Sequence, residues 1–303
     1  MRLHHGMLLT GQVGVGKSIA AREIAQALLC AGDDPAAACG ECSSCRHLDV
    51  HPDLHEVVIP VDKEEIPVDL VRELRESLMR LPAAGRARVV VIDPADRLNS
   101  QGQNALLKTL EEPGRNTFLI LPTARPDSLL ATVRSRVSEL RVLPLDGEVL
   151  EAQLRGRFPD LPPGDVARVV GLVEGSLGRA VGLLSEENRP LFALLEGFVL
   201  RGVGTPVGVA RAALEGASGR IATVEKALWT VWIVRTILRK ELLGSLATEG
   251  TGPYFAATSV RWTTTIESLL AAESDLYQRI PPAQVLAGVF LSMELPAASG
   301  PAG

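Results

Sequence analysis

The sequence predicts an α/β domain built on a parallel sheet, followed by a region made only of helices. In the first half of the chain, short apolar runs alternate with amphipathic stretches. The run at residues 88–93 is almost purely β-branched, which is typical of a strand covered on both faces of a sheet. After about Asp146 such runs stop, and apolar residues recur at helical spacing instead.

Taken in order, the apolar runs predict five strands, at residues 7–10, 54–59, 88–93, 117–121 and 139–143. Helical spacing of apolar residues predicts helices between them, at residues 18–29, 67–81, 101–110 and 128–134. Such alternation is typical of a parallel sheet with helices on both faces. Four or five helices are expected from Pro190 to Pro296, with breaks near residues 202–206, 217–219, 249–253 and 281–282.

Composition limits the kinds of protein this chain could be. It has 303 residues, of which 46% are hydrophobic, so two or three domains can each bury a core. The net charge of −5 argues against a free-standing DNA-binding protein, because phosphate neutralisation needs clustered lysine and arginine. No run approaches the roughly 18 apolar residues that span a membrane, and the start lacks the apolar core of a signal peptide. A cytoplasmic protein with no membrane contact is expected.

A phosphate loop is expected at residues 11–18, which fit G-x-x-x-x-G-K-[ST] in full. Its glycines let backbone N–H groups curl around phosphate oxygens, while Lys17 supplies a point charge and Ser18 a hydroxyl for Mg²⁺. The candidate phosphate ligands are Gly11, Gly14, Gly16, Lys17 and Ser18. A loop that binds nucleotide would take a nucleoside triphosphate such as ATP, together with Mg²⁺. A preserved loop that no longer binds nucleotide would have the same sequence motif.

Asp93 ends the β-branched run and is expected to hold the Mg²⁺ ion, unless it merely caps a strand. Hydrolysis also needs a neighbouring carboxylate that polarises the attacking water. That neighbour is Pro94, whose side chain accepts no proton, and Asp96 would be displaced from the water. The chain is therefore expected to hydrolyse a nucleoside triphosphate poorly or not at all.

All four cysteines fall in one short segment, at Cys30, Cys39, Cys42 and Cys45. Four thiolates suit the tetrahedral coordination of Zn²⁺ and leave no open position for water, so a structural zinc site is expected. An iron–sulfur cluster has overlapping C-x2-C-x2-C spacing, and unliganded thiols are the third alternative.

With these motifs placed, the sequence resembles the clamp-loader subunits of bacterial DNA polymerase III, an AAA+ family, and within it the delta-prime subunits. The resemblance is strongest from Arg2 to Arg179. It rests on the cysteine spacing and on four further segments, at residues 2–5, 104–113, 130–136 and 175–180. Residues 130–136 match the family's Ser-Arg-Cys motif, with Val137 in place of the cysteine.

The resemblance implies a role for each matching residue. Arg136 would be an arginine finger that reaches the ATP site of a neighbouring subunit, or else a surface arginine in an ion pair. Thr123 would lie at the first sensor and Arg179 at the second, either as nucleotide-binding residues or as relics. Family members usually carry a helical segment ahead of the first strand, so the adenine half of the pocket is expected to be incomplete here.

The resemblance also implies an organisation and partners. An AAA+ phosphate-loop domain with a zinc module at 30–45 would occupy residues 1–145, a helical lid 146–188 and a collar 189–297. The expected partners are the motor (gamma or tau) and delta subunits, the sliding clamp and primed DNA.

Within this family, Pro94 favours a delta-prime subunit, because motor subunits keep an acidic residue at that position. An ATP-hydrolysing motor-type subunit is the alternative, and the acidic balance opposes a zinc-ribbon nucleic-acid binder.

Overall fold

The computed structural model describes residues 3–32, 37–60, 63–78, 82–83, 87–248, 265–276, 278 and 280–293. The chain divides into two compact units. The first consists of residues 1–150 and 175–179, and the second of residues 151–174 and 180–303. The chain thus returns to the first unit for a short segment after it has entered the second.

The first unit contains an α/β fold, as predicted. Its strands are β1 (Gly6–Thr10), β2 (Leu54–Val58), β3 (Arg88–Asp93), β4 (Thr117–Thr123) and β5 (Ser138–Arg141). Its helices are α1 (Lys17–Leu29), α2 (Ser43–Arg46), α3 (Val68–Leu78), α4 (Ser100–Glu111) and α5 (Ala131–Arg134). The strands form one sheet in the order β2-β3-β4-β1-β5. Every adjacent pair is parallel, so all strands end at the same edge of the sheet.

Helices cover both faces of the sheet because its strands carry apolar residues on both faces. Successive side chains of a strand point to opposite faces. On one face Leu8 and Val90 pack with residues of α3 and α4, including Val71, Leu74, Leu106 and Leu110. On the other face, Met7 and Val89 pack with the small residues of α1, Ala21 and Ala25. The β-branched run of β3 is therefore buried on both sides, as its composition predicts.

The second unit is helical. Its helices are α7 (Pro163–Val170), α8 (Leu177–Leu184), α9 (Arg189–Arg201), α10 (Pro206–Ala213), α11 (Arg220–Thr248), α12 at residues 265–276, and α13 (Pro282–Ser292). They follow α6 (Gly147–Arg157), and both α6 and α8 begin in the first unit. No helix within the described ranges combines the length and apolar character needed to cross a bilayer.

Helix breaks fall where turn-forming residues predict them, near residues 202–206, 217–219 and 281–282. The predicted break at 249–253 lies outside the described residues. On α11, Trp232, Ile233 and Leu238 are buried, while Trp229 and Leu242 are partly exposed. The fold class is thus confirmed. The domain boundaries at residues 145 and 188 stay predictions.

Phe198 and Phe290 form an aromatic pair in the core of the second unit, with ring centroids 5.2 Å apart. Both side chains are fully buried. Phe198→Ala should lower the free energy of unfolding by about 3–5 kcal/mol, because it leaves a cavity that close-packed neighbours fill only in part. Urea unfolding measures the change. Leu291→Ala, whose side chain is 64% exposed, is the control and should change stability by less than about 0.5 kcal/mol. Equal losses in the two variants would contradict this account.

Candidate functional site

The phosphate loop connects β1 to α1 at the edge of the sheet where the strands end. Gly11, Gly14 and Gly16 have φ angles of +153°, +78° and +102°, which favour residues without a Cβ. Helix α1 starts at Lys17, so its free N–H groups and the positive end of its dipole face the loop. The predicted phosphate ligands therefore lie together and form an anion-binding arrangement.

Lys17 is nearly buried and folds back onto the loop. Its Nζ donates to the carbonyl oxygens of Gly11 and Gln12 at 2.8 Å each. Burial lowers the pKa of Lys17, and the negative charge of Asp93 opposes that effect. Arg179 lowers the same pKa further, so its positive charge acts on the site as well. Two cationic residues thus lie near the phosphate loop, which suits an anionic ligand.

Asp93 lies beside Ser18, as a shared Mg²⁺ ion requires. It is the last residue of β3. Burial raises the pKa of the Asp93 carboxyl, while a hydrogen bond from the Ser18 hydroxyl and the charge of Lys17 lower it. A carboxylate and a hydroxyl next to a phosphate site are oxygen ligands of the kind that Mg²⁺ binds.

The carboxylate nearest in sequence to Asp93 is that of Asp96, and it is hydrogen-bonded to other side chains of the protein. Asp96 Oδ1 accepts from the Thr123 hydroxyl at 2.8 Å. Its Oδ2 accepts from Nε and Nη2 of Arg125 at 3.2 and 3.1 Å. The Asp96 side chain is only 7% exposed. Both oxygens are therefore engaged within the protein, and the Thr123 hydroxyl donates its one proton to Asp96. With Pro94 in the neighbouring position, no carboxylate in this network is free to take a proton from water.

The segment 175–179 lies directly against the phosphate loop. The buried Ser176 hydroxyl donates to the carbonyl of Val13 at 3.0 Å. The Gly178 N–H donates to the carbonyl of Gly14 at 2.8 Å. A Cβ on Gly178 would lie 2.9 Å from the Cα atom of Gly14, so the two segments touch through their backbones. This contact brings Arg179, the predicted second-sensor residue, next to the phosphate loop.

Arg136 lies at the opposite edge of the sheet, where the parallel strands begin. It follows α5 and precedes β5, which is parallel to β1. A Cβ built on Gly6, the first residue of β1, would lie 3.2 Å from the Arg136 carbonyl oxygen. The phosphate loop follows the last residue of β1, roughly 16 Å away along the five-residue strand. The chain's own phosphate loop and Arg136 are therefore on different edges.

The four cysteines converge. The sulfur atoms of Cys30, Cys39, Cys42 and Cys45 all lie within 4.8 Å of one another. The Cys30 and Cys42 sulfurs are 3.9 Å apart, too far for a disulfide bond of about 2.05 Å. Four sulfurs about 2.3 Å from one Zn²⁺ ion would be about 3.8 Å from each other, so the spacing fits one shared ion. Burial raises the pKa of Cys45 to about 12, and a bound metal would deprotonate that thiol.

Backbone N–H groups further prepare the cluster for a cation. The N–H groups of Gly32 and Cys39 each lie 3.3 Å from the Cys30 sulfur, and they lower the pKa of its thiol. Ala31 likewise donates to the Cys42 sulfur at 3.4 Å. That contact is the largest of the effects that lower the pKa of Cys42 to about 6. Donors aimed at sulfur favour thiolates, the form that binds metal.

Residues 1–146 match the family described as "DNA polymerase III, delta subunit". This part, just under half of the chain, is thus similar to that family. The chain is 38% identical over 176 residues to the DNA polymerase III subunit delta′ of Pseudomonas aeruginosa, covering 57% of this chain and 53% of that protein. The predicted resemblance to the delta-prime subunits is confirmed.

Escherichia coli K12 has two relatives that match equally well by identity. Its delta′ subunit is 33% identical over 189 residues, covering 62% of this chain and 56% of that protein. Its tau subunit is also 33% identical over 189 residues, covering 61% of this chain and 29% of that protein. The chain spans about half the length of the curated delta-prime relatives it matches.

Within this delta-prime-like chain, motif analysis located the candidate ligands but missed the contacts that restrain them. The phosphate loop, Asp93 and the cysteines follow from local patterns. The contact between Ser176 and Val13 joins residues 163 positions apart, and no local pattern indicates it. The engagement of Asp96 by Thr123 and Arg125 was missed for the same reason.

The cysteine cluster should bind one zinc ion per chain, as measured by elemental analysis of the purified protein. Cys42→Ser should abolish zinc binding and lower the midpoint of thermal unfolding, because metal affinity contributes to folding. Ser43→Ala is the matched control, since Ser43 is exposed and adjacent but offers no sulfur. Iron in the wild-type protein, or no metal at all, would exclude the zinc assignment.

Proposed function

We propose that the chain is a delta-prime-type subunit of a DNA polymerase III clamp loader, and that it supplies Arg136 to the ATP site of a neighbouring subunit. The observation that supports this most strongly is the position of Arg136. It lies about one strand length from its own phosphate loop, so it could act only on a nucleotide bound elsewhere. A guanidinium acting in trans neutralises charge on the transferring phosphate, an effect of roughly 10³–10⁵ in rate in comparable enzymes.

We also infer that the chain hydrolyses ATP poorly or not at all. The phosphate loop, Ser18 and Asp93 would hold ATP and Mg²⁺ if nucleotide binds. The general base would still be missing, because Pro94 has no acceptor and Asp96 is engaged by Thr123 and Arg125. Thr123, as a first sensor, would have to give up its bond to Asp96 in order to donate to a phosphate.

The zinc module would act as a structural tie within the first domain. Cys30 follows the last residue of α1, and the Gln26 side chain donates to the Cys45 carbonyl at 3.1 Å. Arg22 of the same helix pairs with Asp49 and Glu56. One ion would therefore join the end of α1, the helix that begins at the phosphate loop, to the segment leading into β2.

In this proposal, residues 1–145 form the AAA+ domain, residues 146–188 a lid and residues 189–297 a collar that assembles with other subunits. The partners would be the motor (gamma or tau) and delta subunits, which together load the sliding clamp on primed DNA in the cytoplasm. The similarity of residues 1–146 to the family described as "DNA polymerase III, delta subunit" supports this assignment.

A motor-type subunit that hydrolyses ATP is the second candidate. It is favoured by the complete phosphate loop and by the 33% identity to the tau subunit of Escherichia coli. The absence of a proton acceptor at Pro94 opposes it.

Steady-state ATP turnover separates these two functions. The purified chain should hydrolyse ATP no faster than its Lys17→Ala variant, because it has no free general base. Turnover in the wild-type chain well above that of Lys17→Ala would support the motor function instead.

The second test concerns Arg136 in the assembled complex. Arg136→Ala should lower ATP hydrolysis by the complex with the motor and delta subunits at least about 10-fold, since the phosphate charge is then less well neutralised. The mass of the complex should be unchanged, because Arg136 is a partly exposed side chain and not part of a core. Unchanged hydrolysis in an intact complex would rule out the trans role.

A further inference from the structure

Arg136 is held in place by three groups of its own chain. Its Nη2 lies 2.6 Å from Oε1 of Glu111, the last residue of α4. Its Nη1 donates to the carbonyl oxygen of Thr132 at 2.9 Å and to the hydroxyl oxygen of Ser135 at 3.3 Å. The Arg136 side chain remains 35% exposed. The guanidinium is thus fixed on one side and open to solvent on the other.

We propose that Glu111 is a positioning residue for Arg136, a role that rests on the proposed trans function of that arginine. Glu111 would hold the guanidinium at the sheet edge in the orientation that meets a neighbour's phosphate. An arginine has five N–H donors, and these three contacts leave the Nε hydrogen and one Nη2 hydrogen for an anion. The carboxylate and the phosphate therefore bind different parts of one guanidinium.

Positioning has a physical benefit at this site. A free arginine side chain has large rotamer entropy, part of which is lost when it binds a phosphate. A side chain already fixed by these three contacts loses less freedom when it meets the transition state, and preorganised charge needs no rearrangement during reaction. Loss of the carboxylate should therefore affect the chemical step more than the binding of ATP.

Both ends of the ion pair rest on buried residues. Leu110, next to Glu111, is 1% exposed, and it packs in the same core cluster as Val133 near Arg136. The end of α4 is also closed by a hydrogen bond from the Glu112 N–H to the Lys108 carbonyl at 3.0 Å. The carboxylate is therefore presented from a rigid support, unlike one on a loop.

A second exposed ion pair in the same segment provides a matched control. Arg134, two residues before Arg136, pairs with Asp127 at 3.0 Å. The Asp127 side chain is 92% exposed and does not contact Arg136. Asp127→Asn removes a carboxylate from a neighbouring arginine without changing the partners of Arg136.

The test measures ATP hydrolysis by the complex reconstituted with motor and delta subunits. Glu111→Gln should lower kcat roughly 3- to 10-fold, as a misplaced catalytic group does, and leave the KM for ATP nearly unchanged. Asp127→Asn should match the wild type. Glu111→Gln combined with Arg136→Ala should be no slower than Arg136→Ala alone, because the two residues act as one unit. The mass of each complex reports whether assembly is intact.

The outcomes distinguish this inference from the function on which it rests. If Arg136→Ala is slow but Glu111→Gln keeps the wild-type kcat, Glu111 does not position Arg136 and the trans role stands. A rise in KM with unchanged kcat, or additive losses in the double variant, overturns the positioning role in the same way. If Arg136→Ala itself has the wild-type rate, both proposals are wrong.

Discussion

The parallel direction of the five strands determines where chemistry can occur in this protein. Because every strand ends at the same edge, the phosphate loop after β1, Asp93 at the end of β3 and Thr123 at the end of β4 meet there. Residues that precede strands lie at the other edge, and Arg136 before β5 is one of them. One domain thus carries an anion-binding loop and a partly exposed arginine on opposite edges.

The polar groups around the phosphate loop are satisfied within the protein. Lys17 donates to loop carbonyls, and Thr123 and Arg125 occupy both oxygens of Asp96. Buried polar groups without partners are costly, so such internal pairing stabilises this site. The same pairing makes the network ill suited to hydrolysis. The proposed division of labour, in which this chain acts on another subunit's nucleotide, agrees with that chemistry.

Two sets of contacts restrain the phosphate loop and the helix α1 that follows it. The segment 175–179 hydrogen-bonds to the loop backbone, and the close approach of Gly14 to Ser176 leaves no room for a Cβ. At the far end of α1, the cysteine cluster gathers four sulfurs from a short stretch of chain. Helix α1 is therefore restrained at both ends, which favours a fixed geometry for the phosphate loop. The pairing of Glu111 with Arg136 extends the same principle to the opposite edge.

The sequence by itself determined the elements and the candidate ligands. The β-branched run of β3 indicated a doubly covered strand, and the glycine and cysteine spacings located the loop and the metal cluster, because these patterns are local. Only the tertiary structure decided which groups are free to act. The partners of Asp96, Gly14 and Arg136 come from distant parts of the chain and become neighbours only when the sheet and its helices pack. Local periodicity contains no information on such contacts, since their geometry depends on packing across the whole domain.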